Sequence, residues 1–124
     1  MAPLEHVGQI RINVRDIGRA VAFYRDVLGL TFLFDVPEQE MAFFDCGGVR
    51  LYLTRESTPG ETATATVYYT VSGLDGVVDD LAARGATITH PPATIYRLET
   101  VEGRMAFLED TEGNSIGLME ETPI

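Results

Sequence analysis

The chain has no lysine and no tryptophan, a single cysteine and two histidines among its 124 residues. Each scarcity removes a class of chemistry. Without lysine there is no Schiff-base nucleophile and no P-loop, whose lysine reaches the bound phosphates. A lone Cys46 forms no internal disulfide and fits a reducing, cytoplasmic setting. It reads as a small buried hydrophobe beside a turn, because the sequence offers it no activating neighbour. His6 and His90 are too few and too badly placed for a Ser-His-Asp arrangement. Positive charge is scarce altogether: nine arginines stand against nineteen acids, a formal charge of −10. Nucleic acids and anionic membranes both require a basic surface, so neither is an expected partner. No apolar run approaches a membrane span, and the first residues lack the charged-then-apolar order of a secretion signal.

What is present is an ordinary soluble composition, 45% hydrophobic, in a chain of a size that makes one domain with a core of its own. It also repeats itself. MAFFDCGGVRLYL from Met41 and MAFLEDTEGNSIGL from Met105 are near-copies, each an alternating apolar run broken by a Gly-containing turn and so a β-hairpin. Upstream of the first, QIRINV from Gln9 to Val14 alternates like a strand. Asp16 then caps a helix whose apolar face is Ile17, Ala20, Val21, Tyr24, Val27 and Leu28, with Gly29 as its stop. Thr31 to Val36 is a second strand, and the first hairpin pairs Met41–Asp45 with Val49–Thr54.

Residues 55–64, rich in Glu, Ser, Thr, Pro and Gly, form a linker, and the order begins again. Thr66–Val71 is a strand; Leu74, Val77, Val78 and Leu81 form a helical face stopped by Gly85. Ala86–Thr89 and Thr94–Leu98 are β-prone, with His90-Pro91-Pro92 as a break between them. Arg104–Glu109 and Ser115–Met119 make the second hairpin across the Asp110–Asn114 turn. The prediction is an α+β fold of two tandem βαβββ modules, about 7–54 and 65–120, within one domain spanning 1–124. Two such modules are expected to join as a curved mixed sheet, a half-barrel with helices outside and a cleft inside for a small molecule.

QIRINVRDIGRAVAFYRDVLGL, together with TVSGLDGVVDDLAARGATI and AFLEDTEGNSIGLME, resembles the vicinal oxygen chelate superfamily. That group holds glyoxalase I, extradiol dioxygenases, fosfomycin resistance enzymes and bleomycin resistance proteins. The resemblance implies a divalent metal held by one residue from each of four strands. Those positions fall on Gln9, Tyr52, Thr66 and Gly117, and only Gln9 keeps a ligand type that the family uses. A divalent cation needs several carboxylate or imidazole donors, so no metal and no other cofactor is expected. His6, His90, Glu99 and Glu102 read as surface or loop residues.

If Gln9 faces the cleft, strand alternation puts Arg11 and Asn13 beside it, with Arg50, Tyr52 and Thr54 from the fourth strand. Thr66, Tyr68 and Thr70 follow from the fifth strand, and Ser115, Gly117 and Met119 from the last. Tyr52 and Tyr68 suit stacking on a planar ligand, and Arg11 and Arg50 suit a carboxylate or phosphate, unless they pair with the surplus acids. Three readings stay open. The first is a metal-free protein sequestering a small organic molecule, as antibiotic resistance members of the bleomycin branch do. The second is a metal-dependent lyase, isomerase or dioxygenase with displaced ligands. The third is a metal-free enzyme using Tyr52 or Arg11. A homodimer is expected, because an open sheet edge gains from cover.

Overall fold

The computed structural model describes residues 7–55 and 66–124. His6 and the expected linker beyond Arg55 lie outside the described residues. Two compact units divide the chain, 1–63 and 64–124, and each is a βαβββ module as the repeat predicts.

The first module runs β1 (Gln9–Val14), α1 (Ile17–Ala22), a π-type turn (Phe23–Val27), β2 (Thr31–Val36), β3 (Met41–Cys46) and β4 (Val49–Arg55). Asp16 starts the helix by accepting a hydrogen bond from the Arg19 backbone N–H at 3.0 Å, the service an N-cap carboxylate gives the orphan donors of a first turn. The sheet order is β1-β4-β3-β2, with β1 parallel to β4 and the remaining pairs antiparallel. Gly47 and Gly48, at φ of 58° and 91°, make the two-residue turn that only residues tolerant of positive φ allow. Cys46, beside that turn, ends β3 opposite Val49 and is half-buried rather than buried. One sheet face is buried through Ile12, Val14, Phe44, Leu51 and Leu53 and packs on α1 and its extension through Ala20, Phe23 and Tyr24. Each large apolar side chain removed from water there contributes about 1.5–3 kcal/mol. The helix was expected to run unbroken to Leu28. Instead it widens after Ala22, the Leu28 N–H bonding to the Phe23 carbonyl at 3.0 Å, and at this wide turn the adjacent Phe23 and Tyr24 are both buried.

The second module runs β5 (Val67–Thr70), α2 (Leu74–Ala83), β6 (Thr87–Arg97), β7 (Val101–Glu109) and β8 (Ser115–Pro123), in sheet order β5-β8-β7-β6. Leu74, Val78 and Leu81 of α2 and Ala106, Leu108, Ile116 and Leu118 of the sheet supply its core. Asp110 closes the β7–β8 turn, its carboxylate accepting from the Glu112 and Asn114 backbone N–H groups at 2.8 and 2.9 Å. β5 is shorter than the alternation predicts, whereas β7 begins at Val101 rather than Arg104 and β8 extends to Pro123. His90-Pro91-Pro92 is not a break. β6 continues through it, absorbing the prolines in register shifts between Ile88 and His90 and between His90 and Ala93. The physical reason is position: β6 lies at the edge of its sheet, and edge strands and bulges are where a residue without an N–H is tolerated. No helix among the described residues is long and apolar enough to cross a membrane.

Candidate functional site

The sheet face turned away from α1 carries the residues that alternation singled out in the first module. The pairing register aligns them in rows that cross the strands. In one row Gln9 is opposite Arg50, and Arg50 opposite Asp45. In the next, Arg11 is opposite Tyr52, Tyr52 opposite Phe43, and Phe43 opposite Phe34. In the third, Asn13 is opposite Thr54 and Thr54 opposite Met41.

The middle row is the chemically distinctive one. Phe43 and Tyr52 stack with centroids 4.9 Å apart and planes 9° from parallel; Phe34 and Phe43 stack at 4.6 Å and 26°. These distances match the spacing of neighbouring strands, so the rings stand side by side across the sheet. Phe43 at the centre is 7% exposed, but Phe34 is 47% exposed. The Arg50 guanidinium lies 5.7 Å from the Phe43 ring centroid, within cation–π reach.

Phe34 and Phe43 were not among the expected lining residues. Phe43 was within reach of sequence reasoning, because a two-residue Gly-Gly turn fixes the hairpin register and sets Phe43 across from Tyr52. Phe34 was not. A bulge between Phe32 and Phe34 leaves Phe32 across from Phe44 on the core face, then brings Phe34 across from Phe43 on the other face, and alternation alone cannot place such a shift.

The second module carries the counterpart. Tyr68 is opposite Gly117, Gly117 opposite Phe107, and Phe107 opposite His90. Tyr68 and Phe107 meet edge to face at 5.7 Å and 80°, as do His90 and Phe107 at 5.7 Å and 82°. His90, expected in a loop, is thus a strand residue that ends an aromatic row. The Tyr68 ring lies over Gly117, in the space a Cβ there would need. Met119 follows on the same face between Thr70 and Met105, and Thr66 is exposed just before β5. Glu102 belongs to β7 and receives Arg97 at 3.3 Å, not the loop expected of it.

These placements test the metal that the resemblance implies. Tyr52 spends a ring face on Phe43, Gly117 is covered by Tyr68, Thr66 offers a neutral hydroxyl, and Gln9 alone supplies an amide oxygen. No three His, Cys, Asp or Glu side chains converge as a metal site among the described residues. Neutral donors of this kind do not fit a divalent cation.

Two βαβββ modules, each a mixed four-stranded sheet packed on its own helix, define an α+β protein of the glyoxalase type. The chain belongs to the Glyoxalase/Bleomycin resistance protein/Dioxygenase superfamily, whose family model matches residues 5–118. Uncharacterized protein YraH of Bacillus subtilis (strain 168) is 28% identical over 121 residues, covering 87% of this chain and 92% of that protein. The crystal structure of a lactoylglutathione lyase from Agrobacterium tumefaciens superposes with a TM-score of 0.76 at 22% identity, over 96% of each chain. A superfamily member from Sphaerobacter thermophilus DSM 20745 superposes with a TM-score of 0.79 at 24% identity, over 94% of this chain and 98% of its own. At such identities the structural likeness establishes the fold alone.

Proposed function

We propose that this chain is a metal-free binding protein that sequesters a small organic molecule on its aromatic sheet faces. The observation that carries the reading is the use made of Tyr52 and Gly117. Where the resemblance implies two of the four metal ligands, one position is built into a stack with Phe43 and the other lies beneath the Tyr68 ring. Side chains committed to ring packing favour a planar apolar ligand over an ion. Gln9, Arg11, Asn13, Arg50, Thr66 and Met119 flank the rows and supply polar and soft contacts around them. The protein acts as a homodimer in this reading.

Elemental mass spectrometry tests it. The untagged protein is loaded with Ni²⁺, Mn²⁺, Fe²⁺ or Zn²⁺ and dialysed. Retention of no ion is the expected result. About one ion surviving per chain, as a multi-donor site allows, overturns the binding-protein reading in favour of a metal-dependent lyase, isomerase or dioxygenase.

A further inference from the structure

The arginines of the first module's open face are anomalous in a chain this acidic. With nineteen acids to nine arginines, every arginine has carboxylates in abundance. Arg25, Arg55, Arg84, Arg97 and Arg104 each hold one within 3.3 Å. Arg11 and Arg50 hold none among the described residues. Both flank the Phe34–Phe43–Tyr52 stack, Arg11 directly across from Tyr52 and Arg50 one row away. Arg50 even has Asp45 as its cross-strand partner, yet its guanidinium leans over the Phe43 ring. A guanidinium on an aromatic face keeps its N–H fork open to a planar anion.

Resting on the binding-protein reading above, we propose that the first module's sheet face takes a flat aromatic molecule bearing a carboxylate. Its ring stacks with the aromatic row at the Tyr52 end, and its carboxylate is met by Arg11 and Arg50. Tyr52 gives one face to Phe43 in a near-parallel stack; its other face is turned toward β1, where Arg11 is its partner in register. Ring and carboxylate sites are therefore adjacent. The overall charge of −10 makes the opposite expectation, a cationic ligand, the natural competitor. Only local charge favours the anion.

Isothermal titration of the full chain with three isosteric probes decides between them: 2-naphthoate, neutral 2-naphthamide and cationic 2-naphthylmethylamine. Naphthoate is expected to bind at least about tenfold more tightly than either, the order of effect a charge-assisted pair supplies. R11Q and R50Q are each expected to erase that preference, bringing naphthoate affinity down to that of naphthamide in the same variant, with Y52A weakening all three. If the three probes bind alike and Y52A still weakens them, the aromatic face stands and the carboxylate assignment falls. Equal or tighter binding of the amine, or an undiminished preference in both arginine variants, overturns it as well. If no probe binds at millimolar concentration, the assignment falls, whereas the binding-protein reading is decided separately by metal retention. Naphthoate binding that disappears as the protein associates would give the face to a second copy of the chain, again against the proposal.

Discussion

Gly103 and Gly117 each lie beneath a tyrosine ring, Tyr96 over the first and Tyr68 over the second. The rings stand in for the side chain that a strand glycine lacks, the cross-strand device that keeps such a residue from weakening its sheet. The two pairs differ in how the ring is held. Tyr68 is 47% exposed and meets Phe107 only by its edge, so it has room to swing away. Tyr96 is fixed at its far end too, its hydroxyl donating to the Glu121 carboxylate, and this bond raises the phenol above its ordinary value of 10.0. A Cβ at Gly103 therefore meets a ring that must give up its bond to Glu121 to move aside. G103A is expected to cost on the order of 1–3 kcal/mol, as overpacking does, and more than G117A. Because the cost comes from one contact, Y96A should absorb it: the double variant G103A/Y96A is expected to be more stable than the sum of the singles allows. Chemical denaturation of the four proteins in that cycle checks this, and strict additivity would refute it.

At the scale of the element, α2 shows how a helix end is completed from elsewhere in the chain. Its N-cap is Gly73, which has no side chain to offer, and the orphan N–H groups of Gly73 and Leu74 donate instead to Glu120 of β8 at 2.7 and 3.1 Å. Arg104 on the adjacent strand grips Asp75 of the first turn through two bonds of 2.8 and 3.1 Å. The Gly73 and Leu74 N–H groups hold the Glu120 carboxyl below its ordinary 4.5. A lowered folded value means stability that is complete above the unfolded value and lost as pH falls through the folded one. E120Q is thus expected to lower Tm at neutral pH, and the gap from wild type should close in acid, below the ordinary 4.5 of a glutamate. A gap equally wide at both pH values would show that the charge is not what caps the helix. This capping was illegible in the sequence, since it joins residues 47 apart. Asp16 was legible because its cap is local, the bond closing within three residues. The same rule separates the site residues. Tyr52, Tyr68 and the two arginines followed from alternation along single strands, whereas Phe34 and His90 took their places through bulges in β2 and β6 that alternation does not see.

For the whole molecule, duplication explains why both aromatic rows exist. Phe43 and Phe107 hold the same position in their hairpins, as do Tyr52 and Gly117, and the two copies have diverged around a shared pattern. Duplication also leaves each module with its own sheet edges, and β6 is one that can take a partner. Its first half is blunted by Pro91 and Pro92, whereas its second half displays Ile95 at 55% exposure, with Leu98 at 57% just beyond. An exposed apolar edge of this kind gains from pairing with a second copy about a two-fold axis. Charge opposes that union, because each protomer brings a formal −10. Apolar attraction is indifferent to moderate salt, but the repulsion reaches about 30 Å at 10 mM ionic strength and only about 8 Å at 0.15 M. The dimer is therefore expected to strengthen with salt. Sedimentation equilibrium at micromolar concentration should give a mass approaching twice the 13.6 kDa of one chain at physiological ionic strength, and a lower average in dilute buffer. An I95E substitution should return the protein to the monomer at both. A mass of one chain at every salt concentration would remove the dimer, and a dimer that weakens with salt would mean that its interface is held by ion pairs rather than by this edge.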